Sequence, residues 1–319
     1  MAGFAPEVLA KLTGLGLVAP MGIGKKFYVN GGADGLTHGN DVAGKGESIA
    51  TAFLSIAFAL TQAVGGRNDY IFCFNTNHQD EAATISIPEG LDYVHIIGLA
   101  LPGGGPLELN TTGDYPVFLL NTLVGGPLNG VEIAGFNIGG GINHGCIELH
   151  GACNFAWIHH CSFGHAWVPA AQDGIRIESV SNSQGVLIED NWFYGDSGLA
   201  AQGKLTRYGI GQIAGSAPLH GGAIRRNYLI RCPTGAINFA AQVWEMVVED
   251  NKIGCGADLL GNGILLSPAT ASCLIAHNEA HFGNAVMANN PYSDQAGADL
   301  NDWMSNQVGS VMKYPDEAM

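Results

Sequence analysis

The sequence predicts an all-β fold arranged as a solenoid, a stack of about seven or eight similar coils. Three observations carry that expectation. The stretch VLIEDNWF at 186–193 recurs as IRRNYL from Ile224, VEDNKI from Val248 and IAHNEA from Ile275, and more loosely as IHHCSF from Ile158, IAGFNI from Ile133 and IIGLAL from Ile96. These lead residues are spaced 37, 25, 30, 36, 24 and 27 apart, as bare coils and coils carrying an inserted loop would be. A second, shorter motif with apolar residues two apart follows each copy, led by Val117, Ile147, Ile175, Ile210, Ile237, Ile264 and Val286. Composition agrees: 47 glycines and only 13% charged residues suit coils that stack closely, and 47% hydrophobic content excludes a disordered chain.

Taken in order, 1–24 reads as an N-terminal arm, with a short helix from Pro6 to Leu15 followed by the apolar, glycine-rich LTGLGLVAPMGIG. Residues 25–91 form an entry and capping module. KKFYVN is its first strand, and 48–64 is an amphipathic helix. Ile49, Phe53, Ile56 and Leu60 share one face of that helix, Ser48 is its N-cap, and Gly65 and Gly66 stop it. The uncharged stretch 48–66 is read as a buried helix rather than a membrane span. Residues 92–290 are the coils, and 291–319 a C-terminal cap or tail in which 300–308 could form one degenerate coil.

Stacking turns equivalent positions into columns about 4.8 Å apart. Ile96, Ile133, Ile158, Ile188, Ile224, Val248 and Ile275 form an inward column. Asn191, Asn227, Asn251 and Asn278 hold one position in four successive copies, where side-chain amides can bond from coil to coil. The two positions after each lead residue read His159 and His160, Glu189 and Asp190, Arg225 and Arg226, Glu249 and Asp250, Ala276 and His277. Their signs alternate, so the acidic pairs read as cross-strand partners of basic neighbours rather than as acid/base pairs.

The opening of the chain resembles that of right-handed parallel β-helix proteins, the pectate-lyase-like superfamily. The matching residues are Tyr28 and Val29, the helix at 48–60, Asp69, Tyr70 and Ile71, and the run ISIPEG from Ile85 to Gly90. The resemblance covers roughly 25–290 and implies the fold; many unrelated activities share this scaffold. Lyases of this superfamily hold calcium on several aspartates beside an Arg or Lys base, and no strand face here gathers such a cluster.

Candidate chemistry lies around the loops at 164–174 and 194–208. Asp173, Arg176, Glu178, Asp196, His165, Trp167, Trp192 and Tyr194 could gather there, the aromatic rings stacking a sugar beside carboxyls. If the protein is an enzyme, Asp173, Glu178 and Asp196 are its candidate catalytic residues. If it binds glycans, Trp167, Trp192 and Tyr194 are the contacts. Glu148 and Arg176 are expected as column neighbours forming a salt bridge. HHC at 159–161 is not read as a metal site, because adjacent strand residues face opposite ways. The glycine runs lack the ending of a phosphate loop. Seven cysteines without a CxxC pair read as buried free thiols from a reducing compartment.

A net charge of −15 argues against nucleic acid and anionic membranes as partners. The N-terminus lacks the basic start of a secretion signal. The expectation is a non-enzymatic structural protein of a virus particle, a capsid decoration protein or short spike made in the host cytoplasm. It would be homotrimeric, docked to capsid or tail proteins through 1–24, with host glycans as a further candidate partner. It would carry no cofactor and no metal. A polysaccharide hydrolase or lyase is the alternative.

Overall fold

The computed structural model describes residues 24–31, 39–74, 79–81, 83–99, 107–111, 113–120, 126–164, 171–195, 204–255, 262–282, 291–296, 300–309 and 311–312. It is an all-β parallel solenoid of about seven turns. Three sheets run along the stack. The first follows a path of ten strands from Lys26–Asn30 to Asp302–Met304, the second has ten from Gln79–Glu81 to Val311–Met312, and the third eight from Ile85–Ile87 to Tyr292–Asp294. Pairing is parallel except where Gln307–Val308 meets Val311–Met312.

The lead residues define the register. Phe27, Ile71, Ile96, Ile133, Ile158, Ile188, Ile224, Val248, Ile275 and Trp303 pair one above the next along the first sheet. The column therefore starts earlier and ends later than the repeats alone indicate. In the third sheet Ile85, Phe118, Ile147, Ile175, Ile210, Ile237, Ile264 and Tyr292 form the matching column. Phe118, not Val117, is the residue in register there, and Val286 lies outside the described residues. These side chains, joined by the stacked pair Phe163 and Phe193, make one continuous core.

The corner between the first and second sheets is held by asparagine. Each Nδ2 donates to the Oδ1 of the next coil: Asn191 to Asn227 at 3.1 Å, Asn227 to Asn251 at 3.0 Å, Asn251 to Asn278 at 2.9 Å. Each also donates to a backbone carbonyl one coil back, as Asn251 does to Ile224 at 2.9 Å. Asn306 adds a fifth rung, accepting from Asn278 at 2.9 Å, so the stack continues through the degenerate coil at 300–308. The residue just before each rung, and His160 before Cys161 at the same position, takes a left-handed backbone: His160, Asp190, Arg226, Asp250, His277 and Ser305 have φ between 51° and 55°.

The entry module departs from the expected single helix over 48–64. A 3-10 turn spans Ile49–Thr51, and the α-helix is only Ile56–Gln62. Phe53 breaks it by bridging to Val29 and burying its ring. Asp41 then holds the restart, accepting from the Leu54 backbone N–H at 2.7 Å and from the Ser55 hydroxyl at 2.7 Å. Ser55, not Ser48, is the working N-cap, its Oγ accepting from Phe58 N at 3.1 Å. Ile56, Ala59 and Leu60 pack into the core, whereas Ile49 is exposed.

Among the described residues six cysteines are buried and form no disulfide, and no helix is long and apolar enough to cross a membrane. Residues 1–23 and 313–319 lie outside the described residues, and with them the arm and the end of the tail.

Candidate ligand-binding groove

The residues that the sequence grouped around 164–208 divide between two faces. Asp173, Arg176 and Glu178 lie on or beside the third sheet, whereas Trp192 and Tyr194 lie on the second. Trp167, Asp196 and His165 fall outside the described residues.

Asp173 is fully buried and enclosed. It accepts from Arg176 Nε at 3.0 Å, from Arg207 Nε at 2.9 Å and from the Tyr208 backbone N–H at 3.1 Å, and also pairs with the Arg207 Nη2. A carboxylate so surrounded cannot approach a substrate, and it reads as a cross-coil tie instead. Arg176 stands in register with Glu148, 3.3 Å from its carboxylate. Glu148, His150 and Glu178 bring three possible metal ligands within 4.8 Å of one another. The Arg176 guanidinium, 4.0 Å from Glu178, already supplies positive charge to that cluster. Burial pushes the Glu148 carboxyl up, but His150, the Gly145 N–H and Arg176 hold it below its ordinary value.

The first-sheet acids are likewise occupied. Glu189 stands in register between His159 and Arg225, and Arg225 between Glu189 and Glu249. Arg225 Nε donates to Glu189 at 2.7 Å, and Arg226 grips Asp190 through two hydrogen bonds of 2.9 and 2.8 Å. Trp157 Nε1 donates to the other oxygen of Glu189 at 2.8 Å. Burial raises the Glu189 and Asp190 carboxyls, and the arginines more than reverse it. These pairs tie coils together.

An open groove of about 820 Å³ lies where the second sheet meets the asparagine corner. Its floor is one outward column, Glu108, Asn137, Ser162, Trp192 and Tyr228, paired coil to coil. Short strands alternate faces, so Trp192 points out with 46% of its surface exposed while Phe193 fills the core. Trp192 and Tyr228 have ring centroids 4.5 Å apart at 60°, an angled aromatic surface. The left-handed corner residues His160, Asp190 and Arg226 form the wall. At the other end Asn137 is only 2% exposed; its Nδ2 donates to Glu108 at 3.3 Å, and its Oδ1 has no hydrogen-bond partner among the described residues. A buried acceptor without a donor is costly, about 1–3 kcal/mol, unless a ligand or water supplies one.

Behind the wall runs a hydrogen-bonded chain. His95 Nδ1 lies 2.5 Å from Glu132 Oε2, His159 Nε2 lies 2.8 Å from Glu132 Oε1, and the two Nδ1 atoms of His159 and His160 are 2.7 Å apart. The expectation that adjacent histidines face opposite ways fails, because His160 sits in the left-handed turn and not in the strand. Burial pushes the Glu132 carboxyl up, but both histidines hold it below its usual range.

Of the predicted glycan contacts, Trp192 lines this groove; Tyr194, farther along the strand, carries the Lys204 ammonium 4.0 Å over its ring. Sequence reasoning missed Tyr228, Asn137, Glu108 and the His160 wall. The residue following each ladder position would have shown the aromatic pair, since Trp192 and Tyr228 follow Asn191 and Asn227.

Fold and groove together define a parallel β-solenoid with a lateral, aromatic-floored cleft. The chain matches no family model, no curated protein and no solved structure.

Proposed function

We propose that this protein is a non-enzymatic structural protein that binds glycan in the second-sheet groove. The observation that carries the reading is the contacting pair of the exposed Trp192 and the half-buried Tyr228 on the floor of an open groove. Aromatic faces pack on the C–H faces of a sugar. A stack of parallel coils is rigid, so the cleft is preformed. Structural use is further supported by Glu189 and Asp190, which are consumed in cross-coil ties.

The proposed setting is the surface of a virus particle, as a capsid decoration protein or short spike. The chain would be assembled as a homotrimer and anchored through 1–24. Its winding is right-handed, of the pectate-lyase-like kind, with helix Ile56–Gln62 covering the first coil. The net charge of −15 and the resemblance of the opening residues support this setting.

The test is a glycan array probed with the purified chain and with Trp192→Ala. Binding that disappears in Trp192→Ala supports the reading; no binding to any glycan, or binding indifferent to Trp192, overturns it. Co-sedimentation with particles, with and without 1–24, tests the setting separately.

A further inference from the structure

The direction of the groove follows from the register. Its reachable lining comes from three successive coils: His160 and Ser162 on one, Asp190 and Trp192 on the next, Arg226 and Tyr228 on the third. Parallel pairing sets those coils about 4.8 Å apart. The floor column then continues in register to the exposed Lys252. The long axis of the groove is therefore the axis of the stack, and its floor is a straight line of rungs. Trp192 and Tyr228 lie on adjacent rungs, yet their rings are inclined at 60°. One flat sugar ring can cover one of them, not both. Ser162, on the rung before, is a short, half-buried side chain that leaves the line unobstructed.

We infer that the groove holds an extended, β-1,4-linked glycan laid parallel to the stack and at least three sugar units long, an assignment that rests on the glycan reading above. One unit of such a chain advances by close to one rung, so successive units meet Tyr228, Trp192 and Ser162 in turn. Successive units also turn their faces relative to one another, which two inclined rings on neighbouring rungs accommodate. An α-1,4-linked chain curves and leaves a straight floor after a unit or two. A preformed solenoid does not bend to follow it, so the line of rungs discriminates by chain shape.

The experiment is titration calorimetry on the full chain with cello-, manno- and chito-oligosaccharides of one to six units, and with malto-oligosaccharides of the same lengths as the curved control. In at least one β-1,4-linked series, affinity is expected to rise about tenfold or more between one and three units, with maltotriose about tenfold or more weaker than that trisaccharide. Ser162→Leu, which obstructs the third rung and spares both aromatic rings, is expected to bring the trisaccharide down to the disaccharide's affinity while the disaccharide stays within about twofold. A single sugar bound as tightly as the trisaccharide, a malto series bound equally or more tightly, or an unchanged trisaccharide in Ser162→Leu with the fold intact by circular dichroism overturns the inference and leaves glycan binding standing. No binding to any of these series overturns it as well, and together with a blank glycan array removes the reading on which it rests.

Discussion

The Nδ1 atoms of His159 and His160 lie 2.7 Å apart, two neighbouring rings joined although one belongs to a strand and the other to a turn. The contact couples a buried carboxylate, Glu132, to an open groove. Burial and then His159 lower His160 from its ordinary value; Asp190 and Glu189 pull it up, and Arg226 pushes it down again. The net effect favours the neutral ring of His160 on the groove wall. Protonating His160 puts a second cation beside Arg226 on the groove wall, which a neutral sugar must desolvate, so glycan affinity should fall as pH drops below the ordinary imidazole range, and the fall should be smaller in His160→Gln. Calorimetry across pH 5–8 checks this.

Stability should also decline in acid, through different groups. Glu132, Glu148, Glu189 and Asp69 all have folded-state carboxyls held below their ordinary range. A depressed carboxyl contributes stability above its unfolded value, about 4, and that contribution is lost as pH falls through the folded value. Urea midpoints should be flat from pH 7 to about 5 and drop below about 4. In Glu132→Gln the acid-side drop should be shallower, from a lower starting stability.

The asparagine ladder should be cooperative along the stack. Asn251→Ala removes a donor to Ile224 O and to Asn278, and it leaves the Asn227 N–H and amide without their acceptor. A loss of about 3 kcal/mol is expected, since buried groups left unsatisfied cost about 1–3 kcal/mol each. Asn306→Ala, at the terminal rung, should cost less. Chemical denaturation of both variants checks the order.

Asp173 holds Arg176 of its own strand and Arg207 of the next coil, on the third sheet and not on the groove's second. Asp173→Ala should destabilise by about 3–5 kcal/mol, because it strands buried positive charge. At a temperature where it remains folded, its glycan affinity should match that of the parent chain. Thermal melts and calorimetry separate the two effects.

The start of the short helix offers a local check. Ser55→Ala removes the bond to Phe58 N and the hydroxyl's bond to Asp41, and should cost about 1–2 kcal/mol. Ser48→Ala removes only a surface contact with the Thr51 hydroxyl, and should change stability by less than about 0.5 kcal/mol. Differential scanning calorimetry distinguishes them.

What the sequence by itself determined is the stack and its register. Inward isoleucines and corner asparagines recur because every coil meets the same neighbours, so equal positions face equal demands, and Ile96 through Ile275 could be aligned by eye. What only the tertiary structure decided is which coils' outward residues face one space. Asn137, Trp192 and Tyr228 share one repeat position, but their side chains differ because an outward residue has no core to fill. The meeting of His159 and His160 was equally hidden, since it depends on a single left-handed φ at the corner. The same is true of the helix break at Phe53, where burying one ring against Val29 outweighed the helical preference of the residues around it.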